Sequence, residues 1–251
     1  MSLSGKPALT TPCLTMIWII DYRYEHLAED VRKLQDAGYA ALYSAVQIFE
    51  PAWYWYGLDN FMCDMMDGGE LAGAMMEKMT SLMEVVCGKL AEAGVDIIVY
   101  GDDVGTQRSL MMSLDLWKQW IQPYTKRALD AAKNVKPDLL AYYHSDGAIA
   151  EIIPGLIEIG VDILNPVQPE CLDPGEIKRI YGDRLAFWGT IGTQTTMPFG
   201  TPEDVRRAVV KSIETVGYNG GLVVAPTHVL EPEVPWENIA AFVDTVKNYK
   251  Y

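Results

Sequence analysis

The chain has 251 residues and a formal net charge of −14, a length that suits one large α/β domain, so we expect residues 1–251 to form a single domain. Nucleic acids are bound by clustered Lys and Arg, and an excess of acidic residues argues against such a partner. No apolar run approaches the roughly 20 residues that cross a bilayer and no signal sequence is recognisable, so we expect no membrane partner and a cytoplasmic location.

The first predicted elements are a strand, a helix and a second strand. Residues 13–20 form an apolar run of strand length, residues 25–37 have helical spacing that stops at Gly38, and residues 39–46 form another apolar run. This succession predicts parallel strands joined by a right-handed crossover.

A dense aromatic stretch, residues 49–57, comes next and is predicted to be a loop. Its rings either cap a core or form the wall of a pocket, because aromatic side chains line most small-molecule sites. In the second interpretation Trp53 and Tyr56 contact a substrate.

Helices and strands alternate through the rest of the chain. Predicted helices cover residues 70–93, 114–133 with a break near Pro123, 148–159, and segments that begin at Asp173, Thr201 and Pro235, whereas residues 192–200 are predicted to be a polar loop. Further strands are predicted at residues 95–100, 139–144, 161–164 and 184–189 and in an apolar run ending at Thr227-His228. About seven strands in this pattern predict either an open doubly wound sheet or a (β/α)₈ barrel.

The positions of the polar residues favour the barrel. Barrel active sites lie at the carboxyl ends of the strands, and no Gly-rich nucleotide fingerprint follows the first strand. The polar residues that follow strand ends are Asp102, His144, Asp146, Asn165, Gln168 and His228.

His144 and Asp146 are the strongest candidates, because side chains two positions apart leave a strand on the same side. Together they could bind a metal or act as acid and base. Asp102 and Asp103 are adjacent carboxylates whose repulsion can raise one pKa into the range of a general acid or base, although a capping role is the alternative for Asp103. His228 has a structural alternative too, as a hydrogen-bonded histidine.

Several amides and one indole are candidate substrate contacts. Asn165, Gln168 and Gln194 could orient a substrate or cap loops, and neither role is favoured by the residues alone. Gln107 and Trp188 complete the candidate substrate contacts, while Cys171 is a weaker candidate because free cysteines are mostly buried and inert.

Five motifs in this order resemble the uroporphyrinogen decarboxylase superfamily, closest to its zinc-dependent, corrinoid-linked methyltransferase branch. The motifs are Gly101-Asp102-Asp103-Val104-Gly105-Thr106-Gln107, His144-Ser145-Asp146-Gly147, Asp162-Ile163-Leu164-Asn165-Pro166-Val167-Gln168, Phe187-Trp188-Gly189-Thr190-Ile191, and Ala225-Pro226-Thr227-His228 followed by Pro235-Trp236-Glu237-Asn238. The resemblance covers roughly residues 45–250 and implies a (β/α)₈ barrel. Because family members usually carry a longer amino-terminal region, it also implies a barrel that is incomplete there or is closed by residues 13–20.

The resemblance implies a methyltransferase that activates an acceptor at zinc and receives the methyl group from a corrinoid, carried by a corrinoid protein, or from another donor. The family's metal site resembles a His-x-Cys pair plus a third ligand from the last strand. His144 matches the histidine, Asp146 stands where the cysteine is expected, and His228 stands at or near the third ligand. A His, Asp, His set can hold zinc.

Two other functions stay open. A decarboxylase or lyase without a metal would use Asp102 and His228 to move protons, although porphyrinogen carboxylates demand Arg and Lys that the motifs lack. A non-catalytic module could bind a corrinoid or another small ligand. A homodimer is an open alternative for the assembly.

Overall fold

Six parallel strands form the sheet, in the order β1–β2–β3–β4–β5–β6, so that each strand pairs with the next one along the chain. The structure is a computed structural model and describes residues 21–45 and 47–250. The strands are β1 (Leu42–Ser44), β2 (Ile97–Gly101), β3 (Leu140–His144), β4 (Ile163–Asn165), β5 (Ala186–Trp188) and β6 (Leu222–Val223). A doubly wound sheet would reverse its order at a switch point, whereas this sequential order is that of a barrel wall. The predicted α/β class and barrel-type architecture are confirmed, and the strand predicted at residues 13–20 lies outside the described residues.

Helices follow every described strand. They are α1 (Leu27–Asp36), α2 (Phe49–Tyr56), α3 (Leu58–Met66), α4 (Glu70–Glu92), α5 (Leu114–Trp120), α6 (Gln122–Lys133), α7 (Ile153–Glu158), α8 (Pro174–Tyr181), α9 (Thr196–Phe199), α10 (Pro202–Val216) and α11 (Trp236–Asn248), with short 3₁₀ helices at Asp21–Arg23 and Ala150–Ile152. In the described part of the chain, none of these helices combines the length and hydrophobicity of a membrane span.

The aromatic stretch is the main correction to the sequence-based prediction. It was predicted to be a loop, but it forms α2, which ends at Gly57 with φ +84°. Glu50 and Pro51 lie in its first turn, where an acidic residue and a proline are both favourable. A smaller correction concerns residues 192–200, which contain the one-turn helix α9 and are not loop throughout.

Helix starts at Asp173 and Thr201 are confirmed. The Asp173 side chain accepts hydrogen bonds from the backbone N–H groups of Gly175 and Glu176. Thr201 and Asp204 form a reciprocal capping box at the start of α10. Such caps satisfy N–H groups that have no partner inside the helix.

The two faces of the sheet have different environments. Tyr143 and Phe187 are fully buried in the main core between the sheet and its helices. Because successive side chains alternate across a strand, Tyr142 and His144 lie on the opposite, inner face. A smaller core joins α9, α10 and α11 beyond β5. The sheet therefore presents His144 at its carboxyl edge on the face away from the main core.

Candidate metal centre at the carboxyl ends of the strands

His144, Asp146 and His228 meet at the carboxyl edge of the sheet. One potential ligand atom from each side chain lies within 4.8 Å of the other two. The two imidazole centroids are 6.1 Å apart, and His228 Nε2 lies 3.9 Å from Asp146 Oδ2. His144 comes from the last position of β3 and His228 from the segment after β6, so the barrel-like order brings together residues that are far apart in sequence.

Asn165 sets the tautomer of the His144 ring. His144 Nδ1 lies 2.6 Å from Asn165 Oδ1, while Asn165 Nδ2 donates to the carbonyl oxygen of Trp188 at 2.6 Å. The second bond sets the orientation of the amide, so its oxygen accepts from a protonated Nδ1. The lone pair of neutral His144 is then on Nε2, which lies 3.8 Å from Asp103 Oδ1.

Backbone contacts hold the segment after β3. Asp103 Oδ1 accepts from the N–H of Asp146 at 2.9 Å, and Gln168 Oε1 accepts from the N–H of Gly147 at 3.1 Å. Gly101 pairs with His144 in the sheet, and a Cβ there would come within 2.2 Å of the His144 carbonyl oxygen. Burial raises the pKa of Asp146. The charge of His144 lowers this pKa, and the charge of Asp103 raises it.

Asp102 lies outside this cluster, buried beneath the first turn of α2. Its side chain accepts from the N–H groups of Ile48 at 3.2 Å and Glu50 at 2.9 Å and from the hydroxyl of Tyr100 at 3.1 Å. It is 0 % exposed, and burial raises its pKa to about 7 against the lowering effect of these backbone N–H groups. The geometry is that of a helix cap, which leaves Asp103 as the member of the pair that faces His144.

The raised pKa of Asp102 predicts a pH-dependent stability. An unfolded aspartate titrates near 3.9, so the folded chain holds a proton that the unfolded chain releases between about pH 4 and 7. The contribution of this group is full below about pH 4 and is lost as the pH rises to 7, by about 4 kcal/mol in total. Urea unfolding across this range should show Asp102→Asn, which cannot ionise, gaining stability relative to the wild type as the pH rises. Parallel pH profiles for the two proteins would contradict the assignment.

Glu50 is a site residue that the sequence analysis missed. It is 7 % exposed and accepts from the Tyr54 hydroxyl at 3.2 Å and from the Gln47 amide. Burial raises its pKa, the charge of Asp103 raises it further, and the charge of His144 opposes both. The available signal was the Glu50-Pro51 pair at a helix start.

The aromatic residues predicted to contact a substrate lie in two different places. Trp53 and Tyr56 pack against the main core, and the exposed aromatic residues of α2 are Tyr54 and Trp55. Trp188 packs edge-to-face on Tyr142 at 5.4 Å, on the inner face of the sheet.

The other predicted contacts lie in the loops above the strands. Gln107 accepts a weak hydrogen bond from the Cys171 thiol at 3.3 Å, so this cysteine contacts the loop that follows β2. The backbone N–H of Gln194 donates to Glu170.

A cavity of about 210 Å³ opens beside the cluster. Its lining residues are Asp146, Gln168, Thr193, Gln194, Thr227, His228, Val229 and Glu231. A larger cavity of about 650 Å³ lies between the first turns of α8 and α9 and the body of α10, but it shares no residue with the cluster. Two members of the cluster, Asp146 and His228, therefore line the smaller cavity.

The three side chains fit a divalent metal such as zinc. Zinc holds imidazole nitrogen and carboxylate oxygen at about 2.0–2.2 Å, which places tetrahedral ligand atoms about 3.4 Å apart. The 3.9 Å between His228 Nε2 and Asp146 Oδ2 is close to this spacing, and the His228 side chain is 49 % exposed. Asn165 supplies the second hydrogen bond that metal-binding histidines usually have.

Fold and site together define an α/β barrel-type protein with a histidine–carboxylate cluster at its carboxyl edge. The sequence profile of the uroporphyrinogen decarboxylase (URO-D) family matches residues 44–249, and the chain belongs to this family. The resemblance predicted from the five motifs is confirmed at that level.

Curated relatives carry the name of the decarboxylase. The uroporphyrinogen decarboxylase of Coxiella burnetii is 24 % identical over 70 % of this chain and 46 % of its own length. The chloroplastic uroporphyrinogen decarboxylase 2 of Oryza sativa is 24 % identical over 72 % of this chain and 44 % of its own. The chain thus spans about half the length of the curated relatives it matches.

The similar solved structures include a methyltransferase and a methionine synthase. A methyltransferase from Methanosarcina mazei superposes with a TM-score of 0.70 at 18 % identity, covering 88 % of this chain and 63 % of that one. A B12-independent methionine synthase from Shewanella sp. W3-18-1 superposes with a TM-score of 0.56 at 14 % identity, covering 88 % and 66 %. At these identities the likeness establishes the fold.

Proposed function

We propose that this protein is a metal-dependent methyltransferase whose metal is held by His144, Asp146 and His228. The convergence of these three side chains beside an open cavity is the observation that carries the proposal. When bound, zinc would lower the pKa of an acceptor such as a thiol and supply a nucleophile near neutral pH. The methyl donor would be a corrinoid, brought by a corrinoid protein, or another methylated compound.

The residues around the cluster have distinct tasks in this proposal. Asn165 orients His144, so that Nε2 faces the ligand position. Asp103 lies 3.8 Å from that atom with a 41 % exposed side chain and could accept the acceptor's proton. Gln168 holds the backbone after Asp146, and Gln194 and Thr193 line the space where an acceptor would sit.

The role of Asn165 gives a direct prediction. Asn165→Ala removes the acceptor for His144 Nδ1 and is expected to weaken zinc binding about 10–100-fold, because lost second hydrogen bonds on metal ligands have effects of this size. Asn165→Asp keeps an acceptor oxygen and should lose much less affinity. Competition with a chromophoric chelator measures both variants, and wild-type affinity in Asn165→Ala would refute the positioning role.

The activity test follows transfer of a methyl group from methylcobalamin to a thiol. Zinc-loaded enzyme is mixed with methylcobalamin and a panel of thiols, and loss of the methylcobalamin spectrum is followed. We expect demethylation that depends on both zinc and His144.

A second candidate is a metal-independent decarboxylase, favoured by the names of the curated relatives. In it His228 would handle protons, with Asp102 as first predicted or Asp103 as the geometry suggests. Release of CO₂ from a carboxylated substrate by metal-free enzyme, with a bell-shaped pH profile, would favour this candidate over methyl transfer.

A further inference from the structure

We infer that the substrate bound at this site carries a positive charge on a methylated or alkylated ammonium group. The inference rests on the proposed function for its placement in the site and adds the chemical class of the substrate. Three features carry it: uncompensated carboxylates, the absence of basic side chains, and an aromatic pair on the inner face of the sheet.

The carboxylates around the site are not neutralised by Lys or Arg. Within residues 21–45 and 47–250, the basic partners of Asp103 and Asp146 are only His144 and His228, and Glu50 has no ion pair. No Lys or Arg of the described chain lines the 210 Å³ cavity, which adds Glu231 to the acidic set. The formal charge of these four carboxylates is −4, so a divalent metal would offset only half of it.

The carboxylates of the site repel one another. Asp103 Oδ1 accepts from the backbone N–H of Asp146, and the two carboxylates lie 3.8 Å and 3.9 Å from ring nitrogens of His144 and His228, so their charges are close together. A cationic substrate would relieve this repulsion, whereas a substrate rich in carboxylates would add to it. The field therefore selects against the polycarboxylate that the names of the curated relatives imply.

Aromatic rings favour an alkylated ammonium over a strongly hydrated cation. Tyr142 and Trp188 form an edge-to-face pair at 5.4 Å, and Tyr142 lies two positions before His144 on the same strand face. Aromatic faces beside carboxylates are the usual environment for quaternary ammonium groups.

The test compares three ligands of one shape and different charge. They are choline, the neutral alcohol in which carbon replaces the choline nitrogen, and the carboxylate that bears the same tert-butyl group. Each has a nine-proton methyl singlet, so NMR line broadening reports binding to the zinc-loaded full chain. We expect choline to bind at least about tenfold more tightly than the neutral analogue, no binding of the carboxylate, and a preference that shrinks with added salt.

Two substitutions assign the effect to the site. Glu50→Gln and Asp103→Asn should each reduce the preference for choline, whereas Asp138→Asn, an exposed carboxylate that precedes the opposite end of β3, should leave it unchanged. Equal binding of choline and its neutral analogue, or tighter binding of the carboxylate, would overturn the inference.

Zinc analysis of the same samples separates the two proposals. Full zinc occupancy without a charge preference leaves the metal site standing and removes the cationic substrate. A charge preference without zinc binding supports the cationic site and removes the metal-dependent reaction.

Discussion

Replacing His144 with alanine is expected to abolish stoichiometric zinc binding. The ring supplies Nε2 from a rigid position at the end of β3, with its tautomer set by Asn165. Loss of a direct ligand should exceed the effect of losing Asn165, so we expect zinc affinity to fall by more than about 100-fold. Zinc should raise the Tm of the wild type and leave that of His144→Ala unchanged, because a ligand stabilises only the state that binds it.

The chain offers a matched control for this substitution. His26 is exposed and precedes α1, at the amino end of the described chain, so His26→Ala removes a histidine without touching the cluster. It should bind zinc like the wild type. Equal loss in both variants, or unchanged binding in His144→Ala, would show that the metal is held elsewhere.

Replacing Asp146 with cysteine is expected to change which metal the site prefers. The resemblance to the zinc-dependent methyltransferases implies a cysteine at this position, and the Asp146 side chain is 33 % exposed beside His228. A thiolate is a softer ligand than a carboxylate, so Asp146→Cys should bind zinc at least about tenfold more tightly and manganese more weakly. Asp146→Ala, which offers no ligand atom, should lose most affinity for both metals.

The measurement is competition of zinc against manganese in the wild type and the two variants. The expected order of zinc affinity is cysteine, aspartate, alanine. If all three proteins bound zinc equally, Asp146 would not be a ligand, and the difference from the family pattern at this position would have no bearing on the metal.

Sequence patterns predicted the parts of the site that depend on strand periodicity. β3 ends at His144 and Asp146 follows two residues later, and this spacing predicted that both side chains would lie on one side of the strand. The order of strands and helices predicted that His228 would reach the same edge, and the structure places it there.

The rest depended on orientations that a sequence does not encode locally. Asp102 and Asp103 are adjacent, yet one is buried under α2 and the other faces His144, because neighbouring residues point to opposite sides. Glu50 was not predicted as a site residue. Its aromatic neighbours have modest helix propensity, so the stretch was predicted to be a loop. Capping by Asp102, from a segment about 50 residues away, stabilises α2, and only the tertiary structure reveals that contact.

X-ray absorption at the zinc edge tests the central claim most directly. The protein is loaded with one equivalent of zinc in a buffer that contains no thiol. We expect a shell of two imidazole nitrogens and carboxylate oxygen at about 2.0–2.2 Å, without sulfur. A sulfur shell at about 2.3 Å would contradict a centre built from His144, Asp146 and His228. A bound zinc content below about 0.2 per chain would contradict it as well.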